Sequence, residues 1–344
     1  MSDDLSTEKQ GRVGRITFTR PQALNALSHE MAMKIEQALD AWATDDDVAM
    51  IVIDAEGERA FCAGGDIAAM YHAGKAGDYQ IARDFWADEY RMNAKMYNFP
   101  KPVAAFMQGF VMGGGVGVGG HASHRIVGDT SQVAMPESGI GLIPDVGGTL
   151  LLARAPGRIG EYLGVTGARM GPGDAIYAGF ADYYIPEGDW PDLIAQLVDT
   201  GDWTLIDAAA RPAPDAPLAD LHPQIDAHFG GETIGDIVRS LRHEDTDFTA
   251  SALKPINRNS PLSMACTVEL IHRTRIRDTI EAALANEYRF TYRALELGDF
   301  IEGVRAQIID KDRTPTWQDA DAETLPATKI SRMLMPLGAD ELTL

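Results

Sequence analysis

A chain of 344 residues with 45% hydrophobic content can bury a sizeable core, and its length suits two domains or one large domain with an appended piece. The formal charge of −21 at pH 7 speaks against nucleic acid or an anionic membrane as a general partner, so a polyanionic ligand needs its own cluster of Lys and Arg. Cys62 and Cys266 lie far apart without metal or redox spacing, MSDDLSTEKQ has neither a secretory nor a basic transit pattern, and no apolar run reaches about 18 residues. The expectation is a cytoplasmic protein with reduced, buried thiols.

In chain order, Val13–Thr19 reads as a first strand and RPQALNAL (Arg20–Leu27) as a turn-rich loop. Ser28 offers an N-cap to a helix with Met31, Ile35, Leu39 and Trp42 on one face. Val48–Asp54 is a short apolar run typical of a buried strand, and AEGERAFCAGGD (Ala55–Asp66) is a loop. Gly77–Asn98 reads as helical, with Ile81, Phe85, Met92 and Met96 as its buried stripe. Val103–Met107 is another buried strand, followed by the glycine run Gly113–Gly120. Arg125–Val127 and Gln132–Met135 are small strands around a turn. Helices are expected over Thr149–Arg154, Ile159–Thr166 and Gly173–Ala178. Thr200–Leu221, rich in Pro, Ala and Asp, reads as a connection, and Pro223–Gly298 as almost wholly helical. Short recurring strand–strand–helix units suggest a wound stack of small sheets more than one flat sheet.

The chemistry concentrates in Met135–Gly148, MPESGIGLIPDVGG. Its prolines and glycines argue for a bent loop with Ile140, Leu142, Ile143 and Val146 packed inward. Glu137 and Asp145 stand in this apolar setting, where poor hydration raises carboxylate pKa values toward the range useful for acid–base work. The plainer alternative makes Glu137 a turn residue and Asp145 the N-cap of the following helix. Two glycine-rich turns lie upstream: FCAGGD (Phe61–Asp66) and GFVMGGGVG (Gly109–Gly117). Glycine lets a backbone N–H approach a ligand closely. One N–H from each turn suffices for an oxyanion hole, in which each donor is worth about 2.7–4 kcal/mol of transition-state stabilisation.

FCAGGD, GFVMGGGVG and MPESGIGLIPDVGG, in this order, resemble the signature segments of the crotonase (enoyl-CoA hydratase/isomerase) superfamily, over Arg12 to about Pro186. Within it the chain is most similar to 3-hydroxyisobutyryl-CoA hydrolases, through the Asp145 segment, Asp88-Glu89-Tyr90, SPLSM (Ser260–Met264) and EGVRAQIIDKD. The resemblance implies an α/β crotonase-like spiral of repeated β-β-α units with a helical C-terminal region. The implied organisation is a spiral core over 1–200, a connection over 201–222, and a helical region over 223–344 that completes an acyl-CoA site.

It also implies roles. The oxyanion hole falls to the backbone N–H groups of Gly65 and Gly114. Glu137 matches the catalytic glutamate, Asp145 the aspartate that works with it in the hydrolases, and Glu89 a residue lining the acyl pocket. The CoA moiety is expected past Asn25, Ala26 and Leu27 and past Ala63, Gly64, Gly65, Asp66 and Ile67. Arg20, Arg59, Lys254 and Arg258 are candidates for its phosphates. CoA is part of the substrate, and no separate cofactor or metal is implied. A small branched 3-hydroxyacyl group, hence valine catabolism, is the family expectation, and trimers or hexamers occur in the superfamily. Hydratases carry a second glutamate two residues after the GGG run, where this chain has Gly117. Hydration is therefore the alternative, and a non-catalytic acyl-CoA-binding protein the remote one, since binding needs neither Glu137 nor Asp145. Gly120–His124 has no counterpart in the pattern.

Other matches weigh less. Gly115–Gly120 fits G-x-G-x-x-G, yet sits mid-chain and does not open a strand–helix–strand unit near the start of a domain. His121 and His124 lack a third metal ligand nearby and read as ordinary helix residues. Cys62 reads as core packing, and Asp45–Asp47 as a solvated helix end.

Overall fold

The computed structural model describes residues 4–344; residues 1–3, the start of the MSDDLSTEKQ stretch, lie outside the described residues. The chain forms two compact units, each assembled from three segments. The first unit comprises residues 1–66, 91–134 and 169–219, and the second residues 67–90, 135–168 and 220–344.

Among its described residues the first unit holds nine strands: β1 (Leu5–Gln10), β2 (Val13–Phe18), β3 (Met50–Ala55), β4 (Ala60–Cys62), β5 (Val103–Met107), β6 (Phe110–Met112), β7 (His124–Val127), β8 (Gln132–Ala134) and β9 (Tyr183–Tyr184). They make a six-stranded sheet in the order β1-β2-β3-β5-β7-β9 and a three-stranded sheet in the order β4-β6-β8. Only the β1–β2 pair is antiparallel. Each successive pair, β3/β4, β5/β6 and β7/β8, lays one strand on the large sheet and the next on the small one. That is the expected β-β-α winding. β5 is buried at every position, as a central parallel strand covered on both faces must be. One face of the large sheet, through Val13, Met50, Val52, Ala104, Phe106 and Ile126, packs against Trp190, Leu193, Ile194 and Leu197 of the Trp190–Thr200 helix.

Some elements differ from the sequence reading. β1, β4 and β6 were not expected. β1 is polar and half-exposed, and β4 and β6 are three residues each, too short for a periodic signal. The glycine run is itself a helix, Gly114–Gly119, buried throughout. His121 lies in the turn after it and His124 opens β7, so neither is a helix residue. The helix over Gln80–Tyr97 buries Ala82, Phe85, Trp86, Glu89, Tyr90 and Asn93, whereas Ile81 is half-exposed. The 200–221 connection contains the helix Thr204–Ala209 and the start of Pro217–His228.

Strands are absent from the described part of the second unit. Its helix Pro261–Ile276 is buried at every position from Pro261 to Val268, is partly exposed beyond, and packs on the helices Gly148–Arg154 and Ile159–Thr166. Gly164 permits that approach, since a Cβ there would sit 2.8 Å from the Thr267 methyl, and Gly160 lets the two shorter helices meet, since a Cβ there would overlap the Leu152 carbonyl. Glu161, fully buried here, is ringed by Arg158, His272 and Arg275. Burial alone would raise its pKa, but the hydrogen bonds and charge of His272 and Arg275 outweigh it and hold the carboxyl near 2. No described helix is long and apolar enough to cross a membrane.

In the first unit, the His29–Ala43 helix follows the expected pattern: Ser28 Oγ accepts from the Met31 N–H at 3.2 Å, and Met31, Ile35, Leu39 and Trp42 are buried. Ser28→Ala should therefore cost about 1 kcal/mol, as loss of an N-cap typically does. A lower denaturant midpoint with an unchanged slope is the expected result.

Candidate active site

In the first unit the two glycine turns leave neighbouring strands at the same end. β4 and β6 are parallel partners, so FCAGGD and VMGGGVG emerge side by side from their C-terminal ends. Gly113 turns the chain with φ +49°, and Gly114 begins the glycine helix, where a first-turn N–H has no intrahelical acceptor. A Cβ on Gly115 would overlap the Cys62 carbonyl, and one on Gly119 would press on Met107 and Phe61. Close approach of the two turns is what requires glycine.

Gly65 forms a parallel bridge with Leu27. The bonds of that bridge run from Leu27 N–H to Gly64 O at 2.9 Å and from Asp66 N–H to Leu27 O at 2.8 Å. A parallel bridge uses the groups flanking the bridged residue, so the Gly65 N–H points away from Leu27. The Ala63–Ile67 segment is half-exposed, whereas Gly114 is buried.

The Asn25 turn is built differently from a ligand-facing loop. Asn25 is buried at φ +54°; its Oδ1 accepts from Arg20 N–H, and its Nδ2 donates to the Glu56 and Ala60 carbonyls. Its side chain is thus committed to tying the loop together. Leu27 is buried and Ala26 partly exposed. Arg20 is paired with Asp66 at 2.9 Å, while Arg59, Lys254 and Arg258 are exposed.

The carboxylates meet in the second unit. Met135–Gly148 opens as a short helical turn, Glu137–Ile140, closed by Gly141 at φ +73°. Leu142, Ile143 and Val146 are buried as expected, and Ile140 only half-buried. The loop is anchored from behind: Ser260 N–H donates to Ser138 O at 2.9 Å, Ser138 Oγ to Gly164 O at 3.0 Å, and Ser260 Oγ to Asp299 Oδ2 at 2.6 Å. SPLSM is therefore the support of the Glu137 turn.

Glu137 and Asp145 are each only 5% exposed and Glu89 only 2%. Asp145 does not cap the following helix. Its Oδ2 accepts from the Tyr90 hydroxyl at 2.6 Å. The helix start is held by Glu287, which accepts from Gly147 N–H at 2.7 Å, from Thr149 N–H at 3.0 Å and from the Thr149 hydroxyl. Among the described residues, Glu137 Oε2 and Glu89 Oε1 meet no hydrogen-bond partner.

These environments divide the acids. Burial lifts Asp145 to about 7, against the Tyr90 hydrogen bond that favours its charged form. Burial lifts Glu287 to about 8 despite its donors. Glu137 is pushed well above the carboxylate range by burial and then by the charge on Asp145, and Glu89 likewise. Asp145 has a hydroxyl donor that favours its charged form, whereas Glu137 and Glu89 each leave an oxygen without one.

Sequence reading passed over Tyr90 as an individual residue and missed Glu287 and Thr149 altogether. A signal existed for Glu287. Along the Ile280–Leu297 helix, Ile280, Ala283, Leu284, Glu287, Thr291 and Ala294 share one buried stripe, so a carboxylate interrupts an apolar face.

The model of the enoyl-CoA hydratase/isomerase family matches residues 13–334. The Gallus gallus protein described as 3-hydroxyisobutyryl-CoA hydrolase, mitochondrial, is 35% identical across 99% of this chain and 91% of its own length. The Homo sapiens protein of that description is 32% identical, with the same coverage. Among solved structures, an enoyl-CoA hydratase from Rhodobacter sphaeroides 2.4.1 matches with a TM-score of 0.96 at 54% identity, covering 99% of this chain and 100% of that one. A carnitinyl-CoA dehydratase from Mycobacterium thermoresistibile matches at 0.94 and 40% identity, covering 99% of each chain.

The raised pKa of Glu89 has a consequence for stability. Its proton is bound more tightly in the folded than in the unfolded chain, so the stability it confers is full below the ordinary carboxylate range and is lost as pH rises toward its folded value. Glu89→Gln cannot ionise and should escape that loss. Thermal melts at pH 5.5 and 8.5 should show the variant gaining on the parent by several degrees at the higher pH.

Proposed function

The chain belongs to the enoyl-CoA hydratase/isomerase (crotonase) family, and from that premise we propose that it is an acyl-CoA thioester hydrolase acting on a small branched 3-hydroxyacyl-CoA, as the 3-hydroxyisobutyryl-CoA hydrolases do. The observation that carries the reading is the pairing of Glu137 with Asp145 in one buried loop, together with glycine at position 117 inside a glycine helix. Addition of water across a C=C bond draws on two carboxylates, one of them carried at that helix position in hydratases. Thioester hydrolysis does not need that second position.

In the proposed reaction the thioester oxygen accepts hydrogen bonds from the Gly65 and Gly114 N–H groups, which stabilise it as the carbonyl carbon becomes tetrahedral. Glu137 either takes a proton from the attacking water or attacks the carbonyl carbon itself to give a mixed anhydride that water then opens. In both routes a C–O bond forms, the C–S bond breaks, and the departing thiolate leaves as the CoA thiol after gaining a proton. Asp145 orients water or the substrate hydroxyl and helps return that proton. Glu89 lines the acyl group. CoA enters as part of the substrate, and the chemistry calls on no metal or redox cofactor.

A second reading, hydration of a short enoyl-CoA, draws support from the descriptions of the two solved structures above, at 54% and 40% identity. A panel of acyl-CoA substrates assayed for both reactions separates the two. The hydrolase reading expects CoA release from 3-hydroxyisobutyryl-CoA to outpace hydration of crotonyl-CoA. Rapid hydration with negligible thiol release would overturn it.

Either route also requires Glu137 in its ionised form. Its raised pKa means the inactive, protonated form persists to higher pH than for an ordinary carboxylate, so kcat/KM should still be climbing above the ordinary carboxylate range. Glu137→Gln should lower kcat by about 10²–10⁴-fold at every pH, within the usual range for removing a general acid–base group. Steady-state pH profiles on both proteins check this.

A further inference from the structure

Asp145 is followed by two consecutive residues in the left-handed region, Val146 at φ +53° and Gly147 at φ +80°. Gly147 adopts that conformation freely; Val146, β-branched, does not, and holds it only if its surroundings impose it. The turn they form sets the direction in which the Asp145 side chain leaves the backbone. Gly147 is also the N-cap residue of the helix Gly148–Arg154, and having no side chain it supplies no cap. The donors at that helix start are satisfied from another helix: Glu287 Oε2 takes the Gly147 N–H, and Oε1 takes both the Thr149 N–H and hydroxyl. These bonds fall two and four residues after Asp145. On the opposite side, Tyr90 holds Asp145 Oδ2.

We propose that Glu287 is a positioning residue for Asp145, clamping the strained Val146–Gly147 turn so that the Asp145 carboxylate is held in its working orientation. The inference rests on the reading of Asp145 as a catalytic carboxylate. A cap needed for stability alone is met at least expense by Ser, Thr, Asp or Asn at the N-cap itself. Placing a fully buried carboxylate from a distant helix there carries a desolvation cost that ordinary capping avoids. What it adds is a two-oxygen grip on both sides of Gly148, holding Gly147 of that turn and Thr149 just beyond it.

The test is a kinetic cycle of Glu287→Gln, Asp145→Asn and the double variant, on the best acyl-CoA substrate of the panel. Gln keeps the length and one acceptor but replaces the other oxygen with an N–H₂ that opposes the Gly147 or Thr149 donors. Glu287→Gln should lower kcat by about 10–100-fold with KM changed by less than about threefold, the pattern of an interaction realised in the transition state. Residues that act as a unit give non-additive losses. The double variant should therefore be slower than Asp145→Asn alone by less than about threefold. Thr149→Val, which removes the hydroxyl donor to Glu287 and the acceptor of the Thr274 hydroxyl but keeps the backbone donor, is run through the same cycle, and decides the matter if Glu287→Gln does not fold. It should lower kcat severalfold in the parent and leave Asp145→Asn unchanged. A parental kcat in Glu287→Gln, or losses that multiply fully in the double variant, would reduce Glu287 to a structural cap while leaving the catalytic reading of Asp145 standing. A parental kcat in Asp145→Asn would overturn that catalytic reading, and the positioning role with it.

Discussion

Burying a carboxyl group sets two alternatives: the group keeps its proton, or it finds donors enough to hold its charge. The second unit uses both. Glu161 is as buried as any acid in the protein, yet Arg275, Arg158 and His272 surround it and its pKa falls to about 2. That is a structural charge, fixed across the physiological range. Asp145 and Glu287 are also buried but have only hydroxyl and backbone donors, and they lie near 7 and 8. Glu89 and Glu137 each leave an oxygen without a protein donor, and burial pushes both well above the ordinary carboxylate range. No cation accompanies Glu137 and Asp145 among the groups that shift them. A guanidinium there would lock them as permanent anions, as it does Glu161, and end their proposed use in moving protons.

The first unit answers a different constraint, that of backbone approach. Glycine is the poorest helix former after proline, costing about 1 kcal/mol per residue relative to alanine. The helix Gly114–Gly119 nonetheless contains four glycines among its six residues. It forms because burial and the neighbouring strands impose it, and its glycines permit contacts a side chain would forbid, Gly115 on the Cys62 carbonyl and Gly119 on Phe61 and Met107. The same absence of side chains leaves its first N–H groups accessible to close approach. Packing and proposed chemistry ask for the same residue here.

This coincidence explains what could be read from the chain beforehand. The buried strands over Val103–Met107 and near Val48–Asp54 were legible because continuous apolar runs report burial on both faces. The Ser28 cap and the Met31, Ile35, Leu39 stripe were legible because they are local. β4 and β6 were not, since their pairing is decided by partners about fifty residues away. In the Gln80–Tyr97 helix Phe85, Met92 and Met96 are buried as expected, but Ile81 is exposed, and the polar Glu89 and Asn93, which an apolar pattern does not mark, share the buried face. The loop carboxylates were visible as charges in an apolar setting. The partners that define them were not, because Tyr90 lies 55 residues before Asp145, and Glu287 lies 138 residues after Thr149. Long-range donors leave no periodic trace in a sequence; only a polar residue on an apolar stripe hints at them.

On the proposed hydrolase reading, reaction class turns on where the second carboxylate is carried. A TM-score of 0.96 to one relative shows how faithfully the backbone is kept, and a kept backbone hosts more than one reaction. What distinguishes reactions is the side-chain set at a few positions. At 117 this chain has glycine, in a segment buried too tightly at 115 and 119 to shift and make room. The acid that accompanies Glu137 is instead Asp145, eight residues later in the same loop and held by Tyr90 from a different helix. Placed beside Glu137, the pair serves a single water attacking a carbonyl carbon better than the two ends of a C=C bond, and this is the physical content of the hydrolase reading.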